Sequence, residues 1–311
     1  MAAAADPDVN DAHCLACGGP LAADPAVIAR DRMHEVPGAW PVHECLECGS
    51  GTTLPPATDA ELSAFYPETY APFDVPHGLL ATAMGLLQRA RDRRFPLSTL
   101  AAEGSGTLLD VGCGRGDLPA SWIAAGWRVL GVEPSPEAAS LARSRGVDIV
   151  GARLADARLE PSLLDAVVFR HSLEHVPDPR TDLMRAHDLL RPGGRLAVIV
   201  PNWGSWQRRT FGEYWFPLEL PRHRTHFTAA GLRAAMTSAR LEGIDVRPAT
   251  PFITTTWSLQ FRLFDRLLTR HDAALLAGYA ASLPVSLVSA VLDARRGGGD
   301  FLHAAAQRPA A

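Results

Sequence analysis

The run Asp110-Val111-Gly112-Cys113-Gly114-Arg115-Gly116 places an acid and three glycines within seven positions. Glycine carries no Cβ, so such a loop lets the backbone approach a ligand closely and turn where other residues resist. The apolar Thr107-Leu108-Leu109 leads in, and a helix-like stretch from Leu118 to Ala125 leads out. Strand, glycine loop and helix is how an α/β sheet holds a nucleotide-like ligand. A dinucleotide fingerprint, G-x-G-x-x-G, would need glycine where this chain has Asp117. The spacing is G-x-G-x-G instead. Glu133 follows about twenty residues on, ending the apolar Val129-Leu130-Gly131-Val132, and a carboxylate there accepts both hydroxyl protons of a ribose.

An acid followed by G-x-G-x-G, with Glu133 beyond it, resembles motif I of class I S-adenosylmethionine-dependent methyltransferases. The resemblance covers residues 104–250 well and the tail less well. It implies a doubly wound, Rossmann-like α/β fold with seven strands, the last of them antiparallel. By position it assigns Asp110, Gly112, Cys113, Gly114 and Gly116 to the methionine end of the cofactor, and Glu133 to the ribose. Related enzymes often place Asp-Ala after the third strand, against the adenine. Here Arg153-Leu154 stands there, so Leu154 is expected to pack on the ring. Cys113 reads as a small buried filler rather than a nucleophile.

Four of the five cysteines form two C-x-x-C-G knuckles, Cys14-Leu15-Ala16-Cys17-Gly18 and Cys45-Leu46-Glu47-Cys48-Gly49. Four thiolates at this spacing satisfy tetrahedral zinc with no ligand position left open, so the expected ion is structural. A redox site would use one such pair, not two. The zinc would fold about forty residues too few to build a core of their own. Two pairs of this kind fit metal binding in a reducing cytosol better than a disulfide framework. Together with motif I, the knuckles resemble a bacterial group of zinc-ribbon methyltransferases associated with polysaccharide, sugar or natural-product pathways.

His171-Ser172-Leu173-Glu174-His175 follows an apolar strand and leads into Val176-Pro177-Asp178-Pro179. The inverted zinc-protease motif has the same H-x-x-E-H pattern but needs it on a helix. Strand, then Glu-His-Val-Pro-Asp-Pro, instead resembles the loop after a methyltransferase strand. There Arg170 and His171 would line the cofactor pocket. In ubiquinone-pathway O-methyltransferases a similar loop binds a divalent ion through two Glu and one His. Glu174 and His175 match that set and His171 replaces the first Glu, so metal-assisted methylation of a catechol-like substrate is an alternative.

Loops beyond the fifth strand cluster aromatic, His and Arg residues: Pro201–Trp206, Phe211–Phe216 and Leu220–Phe227. Such loops sit at the ligand end of the sheet, where acceptor pockets form. Candidate bases are His223, His175 and His226, in that order; His226 has the stronger competing role as a structural donor. Arg222 is expected to bind an acidic group of the acceptor. Trp203 and Tyr214 are candidate stacking residues, and Tyr66 and Tyr70, before motif I, are candidates to touch cofactor or acceptor.

The elements expected to position these residues alternate strand and helix. Ser135-Pro136 starts one helix, Thr228 another, and Arg191-Pro192-Gly193-Gly194 ends a third. Asp59 is the expected cap of a short helix, and residues 79–94 are amphipathic. The expected organisation is a disordered leader at 1–12, a zinc-ribbon-like domain at 13–53, a linker and helical neck at 54–100, and a cofactor-binding domain at 101–311 with a helical insertion at 257–297. Residues 273–292 carry no charge. Breaks near Pro284 favour core or dimer packing; contact with a membrane surface is the alternative, and a span is the least favoured.

The chain has 311 residues, 47% of them hydrophobic, and a net charge of −4, so it can bury a sizeable core. It contains no lysine, a bias we read as a GC-rich genome. The acidic balance argues against bulk nucleic-acid binding. An RNA-modifying enzyme using the ribbon as a grip therefore ranks below a small-molecule methyltransferase. A nicotinamide-binding protein and a silent scaffold rank lower still. With no secretory signal read at 1–12, the expected location is cytoplasmic, with the inner membrane face as the alternative.

Overall fold

The computed structural model describes residues 12–58, 61, 97, 100, 105–250, 254–268, 284, 288 and 298–310. Tyr66, Tyr70, the expected 79–94 helix, the leader at 1–11 and nearly all of 273–292 lie outside the described residues. Among the described residues, no helix is long and apolar enough to cross a membrane.

Three short strands come first: β1 (Val27–Ala29), β2 (Trp40–Glu44) and β3 (Gly51–Thr53). The long α/β segment then supplies β4 (Gly106–Val111), α1 (Asp117–Ala124), β5 (Trp127–Val132), α2 (Pro136–Ser144), β6 (Asp148–Gly151), β7 (Leu164–Arg170), α3 (Pro179–Leu189) and β8 (Leu190–Pro201). After these come α4 (Trp206–Phe211), β9 (Thr225–His226), α5 (Ala229–Ser238), β10 (Glu242–Ala249), α6 (Thr254–Phe264) and β11 (Phe301–Gln307).

Seven strands form one sheet in the order β10-β11-β8-β7-β4-β5-β6. The β4, β5, β6, β7 and β8 pairings are parallel, and β11 runs antiparallel between β8 and β10. The order reverses beside β4, so the crevice for a ligand opens at that strand's carboxyl end.

Apolar strands with cover on both faces belong in the middle of such a sheet. Successive residues face opposite sides. Leu108, Val129, Val168 and Ala197 join one core with Trp122 and Trp127. Leu109, Leu130, Val167 and Val198 join the other, with Leu183 and Phe227.

Local capping chemistry places most helix starts as expected. Ser135 Oγ accepts from Ala138 N at 3.2 Å, with Pro136 at the first position of α2. Asp178 caps α3 through Arg180 N and Thr181 N, and Thr228 caps α5 through Gly231 N. One expectation needs correction, and another is not tested. Thr58 shares a reciprocal capping box with Glu61: Thr58 N donates to Glu61 Oε2 at 2.7 Å, and Glu61 N donates to Thr58 Oγ1 at 3.2 Å; the expected cap, Asp59, lies outside the described residues. α3 stops at Leu189 with Leu190 as its cap, as expected, but Arg191–Gly194 is not a turn; it lies within β8, where the register jumps between Leu164 and Ala166 and where Gly193 and Gly194 pair with Arg308.

The N-terminal unit does not stand apart. Its strands continue into the later chain as a four-stranded sheet, β1-β2-β3-β9, with Gly51 opposite His226 and Thr52 opposite Thr225. Cys14, Ala16, Leu21 and Cys45 pack in the same core as Phe227 and Leu232. Phe227 is fully buried at that junction. Phe227→Ala should therefore lower the unfolding free energy by about 3–5 kcal/mol, measured by urea denaturation; a loss below about 1 kcal/mol would contradict the shared core.

Candidate functional site

The glycine loop connects β4 to α1 at the crevice. Gly112 has φ +80°, and a Cβ there would lie 2.6 Å from Ser172 Cβ. Gly116, at φ +78°, would meet Ala142 Cα at 2.9 Å. These two glycines let the loop sit against β7's exit and against α2. Gly114 is different: at φ +56° its missing side chain faces open space. That opening is a cradle a side chain would fill.

Asp110 and Glu133 flank the cradle. Asp110 is 3% exposed, and its Oδ1 has no hydrogen-bond partner among the described residues. Burial pushes its carboxyl up from 3.8 to about 7; Arg170 pulls it down and Glu133 adds to the rise. Glu133 Oε2 accepts from Gly114 N at 2.8 Å and its Oε1 from Ser135 N at 2.9 Å. Each oxygen keeps a lone pair for a hydroxyl. Burial also raises this carboxyl above its ordinary value.

Leu154 is buried in a 3-10 turn after β6. Cys113 is buried beneath the loop, and a Cβ on Gly131 would strike its Sγ at 2.7 Å. Burial holds that thiol well above the ordinary range, as in an inert filler rather than a nucleophile. Arg170 ends β7 and is exposed. His171 follows it with φ +55°, edge-on to Phe301 with ring centroids 5.0 Å apart.

In the second group of candidate residues, 171–175 form a turn rather than a helix, which removes the protease geometry. Glu174 is 1% exposed. His223 Nδ1 donates to the Pro217 carbonyl at 3.0 Å, and its Nε2 lies 3.2 Å from Glu219 and 4.0 Å from Glu174. His175 Nδ1 donates to the Arg222 carbonyl at 3.1 Å, and its ring meets His223 edge-on at 4.6 Å. Burial, with His223 adding, pushes His175 down to about 4, so its ring is neutral near pH 7. The ligand atoms of Glu174, His175 and His223 all lie within 4.8 Å of one another. His171, expected in such a set, stands outside it, 3.7 Å from Glu174.

Three expected acceptor contacts are turned inward. Arg222 is fully buried and spends both terminal nitrogens on Asp31, at 2.9 Å each, so it does not face an acidic acceptor. Trp203 is 2% exposed, donates from Nε1 to Glu44 Oε1 at 2.8 Å, and lies under the Arg208 guanidinium. His226 packs 5.0 Å from Trp203 and shares a 3.0 Å hydrogen bond with Thr53 Oγ1; burial keeps it well below its usual value. Tyr214 stays partly accessible beneath Arg32.

The four knuckle cysteines converge. Cys14 and Cys48 sulfurs are 3.6 Å apart and those of Cys17 and Cys45 are 3.4 Å apart. A disulfide needs about 2.05 Å, whereas thiolates about 2.3 Å from one zinc sit near 3.8 Å apart. Backbone N–H groups of Gly19, Glu47 and Cys48 already point at these sulfurs. The hydrogen bond from Cys14 pushes Cys48 down to about 4.

Residues 81–246 match the family model of a methyltransferase domain. The chain is 31% identical over 185 residues to a ubiquinone biosynthesis O-methyltransferase of Xylella fastidiosa, covering 56% of this chain and 72% of that protein. It is 31% identical over 172 residues to the ubiquinone biosynthesis O-methyltransferase of Xanthomonas oryzae pv. oryzae, covering 51% and 71%. The chain belongs to the methyltransferase family. Similar solved structures include S-adenosylmethionine-dependent methyltransferases from Thermotoga maritima, at TM-score 0.47 and 21% identity over 72% of this chain and 96% of that one. Another, from Mesorhizobium loti, has TM-score 0.47 and 19% identity over 68% and 95%.

The cofactor of this methyltransferase is S-adenosylmethionine, and the crevice suits it. Asp110 offers a buried acceptor to a cationic group, Glu133 offers lone pairs to ribose hydroxyls, and Gly114 leaves the space between them. The sequence reading missed Asp31, Glu219 and Thr53. No motif marks them: Asp31 and Thr53 find Arg222 and His223 across the chain, and Glu219, four positions before His223, belongs to no recognised pattern.

A carboxyl raised on folding is most favourable when protonated, so Asp110 weakens the ligand-free protein as pH rises from about 4 through about 7. A bound ammonium reverses that preference. The affinity for S-adenosylhomocysteine should therefore fall as pH drops below about 7, approaching tenfold per unit, with proton release on binding. Calorimetry in buffers of different ionisation enthalpy checks this; Asp110→Asn should flatten the profile, and an unchanged profile would contradict the assignment.

Proposed function

We propose that this enzyme transfers the methyl group of S-adenosylmethionine to a small-molecule acceptor, with a sugar, polysaccharide precursor or natural-product intermediate as the class. The observation that supports it is the separation of two sites at one end of the sheet. The cradle of Asp110, Gly114 and Glu133 lies on one side. A histidine–carboxylate network of His175, His223, Glu174 and Glu219 lies on the other. The cofactor supplies an electrophilic methyl on a sulfonium. This chain's own residues orient the acceptor for in-line attack, exclude water and take up its proton. His175, neutral near pH 7, and His223, between two carboxylates, are the proposed proton-handling groups. Their depth in the fold favours an acceptor that reaches in with a single hydroxyl-bearing ring over a nucleic-acid strand.

The four-cysteine cluster is proposed to hold a structural zinc, with all four positions taken by protein. The relatives named as ubiquinone biosynthesis O-methyltransferases agree with a small acceptor, and oxygen is the proposed methylated atom. A second reading, metal-assisted O-methylation of a catechol-like ring, is favoured by one observation: the close approach of Glu174, His175 and His223. It requires a divalent ion besides the knuckle zinc, so metal analysis of active enzyme finding zinc in the cysteine cluster alone would contradict it.

The test uses methyl-tritiated S-adenosylmethionine with a bacterial extract split into small molecules and total RNA. The expected result is label in the small-molecule fraction, lost with Glu133→Ala. Labelled RNA, with nothing in the small-molecule fraction, would overturn the proposal.

A further inference from the structure

Asp31 lies in the turn between β1 and β2, within the N-terminal unit, 191 positions from Arg222. Its carboxylate is shared between two tasks. It gathers its own turn by accepting from Met33 N at 2.9 Å, His34 N at 3.2 Å and Val36 N at 3.4 Å. It also binds both terminal nitrogens of Arg222 at 2.9 Å each, with the two side chains 1% and 0% exposed.

Arg222 in turn holds the histidines. Its carbonyl accepts from His175 Nδ1, and His223 is the next residue. Thr53, also from the N-terminal unit, donates from Oγ1 to the His223 carbonyl at 2.7 Å and from N to the Arg224 carbonyl at 3.0 Å. Among the described residues, the hydrogen bonds of Asp31 and Thr53 do not reach Gly112–Gly116 or Glu133.

A buried ion pair adds little net stability over a well-packed apolar pair, because desolvation offsets the attraction. What a bidentate Arg–carboxylate pair does supply is a fixed angle and register. We propose that Asp31 is a positioning residue for the acceptor-side histidines. By fixing Arg222 it sets His175 and His223, so the folded N-terminal unit is a condition for methyl transfer and not for cofactor binding. The inference deepens the proposed function and rests on its placing of the acceptor beside these histidines.

The test is the paired variant Asp31→Leu with Arg222→Met, which replaces the ion pair by apolar side chains and leaves neither of the two charges buried alone, while Glu219, 4.0 Å from Arg222 Nε, keeps His223 Nε2 at 3.2 Å. Histidine-labelled protein reads the imidazole Cε1–H resonances, and calorimetry reads S-adenosylhomocysteine binding. The expected result is displaced His175 and His223 resonances and transfer to the labelled small-molecule pool down about 100-fold. The ligand Kd should stay within about twofold, a factor worth under about 0.5 kcal/mol. Wild-type resonances and turnover in the paired variant would overturn the proposal, and so would loss of ligand binding alongside them. Should the paired variant not fold, Thr53→Val, which removes the hydrogen bond to the His223 carbonyl, is read the same way. Failure of the wild type to bind S-adenosylhomocysteine would sink the methyltransferase reading of the cradle, while the resonances would still judge the clamp.

Discussion

Asp110 is a carboxylate removed from water with one oxygen lacking a hydrogen-bond partner among the described residues. An arrangement of that kind is costly unless a ligand completes it. Much of the α/β architecture serves to put it there. Parallel strands end together at one edge, β4 lies where the strand order reverses, and Gly112 lets the chain leave the sheet against Ser172 without a clash. Glu133 then ties the glycine loop to the end of β5 through Gly114 N. A bound cation and a ribose would relieve the cost at both carboxylates.

The histidine–carboxylate network rests on different physics. The cradle is built from neighbouring strands of one sheet, whereas the histidine network depends on contacts between distant parts of the chain. β3 pairs with β9, Asp31 with Arg222, and Glu44 with Trp203 and Arg208. The four converging cysteines sit beside the short strands that make these contacts, and Cys14, Ala16, Leu21 and Cys45 pack into the same core as Phe227. One half of the candidate site is therefore built within the α/β sheet, and the other, carried by residues 174–175 and 219–223, is braced by Asp31 and Thr53 of the N-terminal unit.

This difference explains what was legible in the sequence. Short continuous apolar runs marked β4 and β5, and Ser135-Pro136 and Thr228 carried their helix starts in local chemistry. The glycine spacing and the C-x-x-C pairs are also local signals. The Asp31–Arg222 pair is not, because nothing near either residue records its partner. Arg222 consequently read as an acceptor ligand, when a buried guanidinium had already found an internal carboxylate. His226 and Trp203 likewise looked like site residues by type, and burial against Thr53 and Glu44 gave them structural roles. The Pro-Gly-Gly of 192–194 read as a turn after α3; the helix does stop there, yet a bulge and pairing with Arg308 keep these residues in β8.

The most direct measurement is ultraviolet cross-linking of methyl-tritiated S-adenosylmethionine to the full chain, followed by peptide mapping. The account predicts label in the peptides that carry Asp110–Gly116 or Arg170–His171, competed away by S-adenosylhomocysteine. Label confined to the cysteine unit, or competed by NAD and not by S-adenosylhomocysteine, would contradict it.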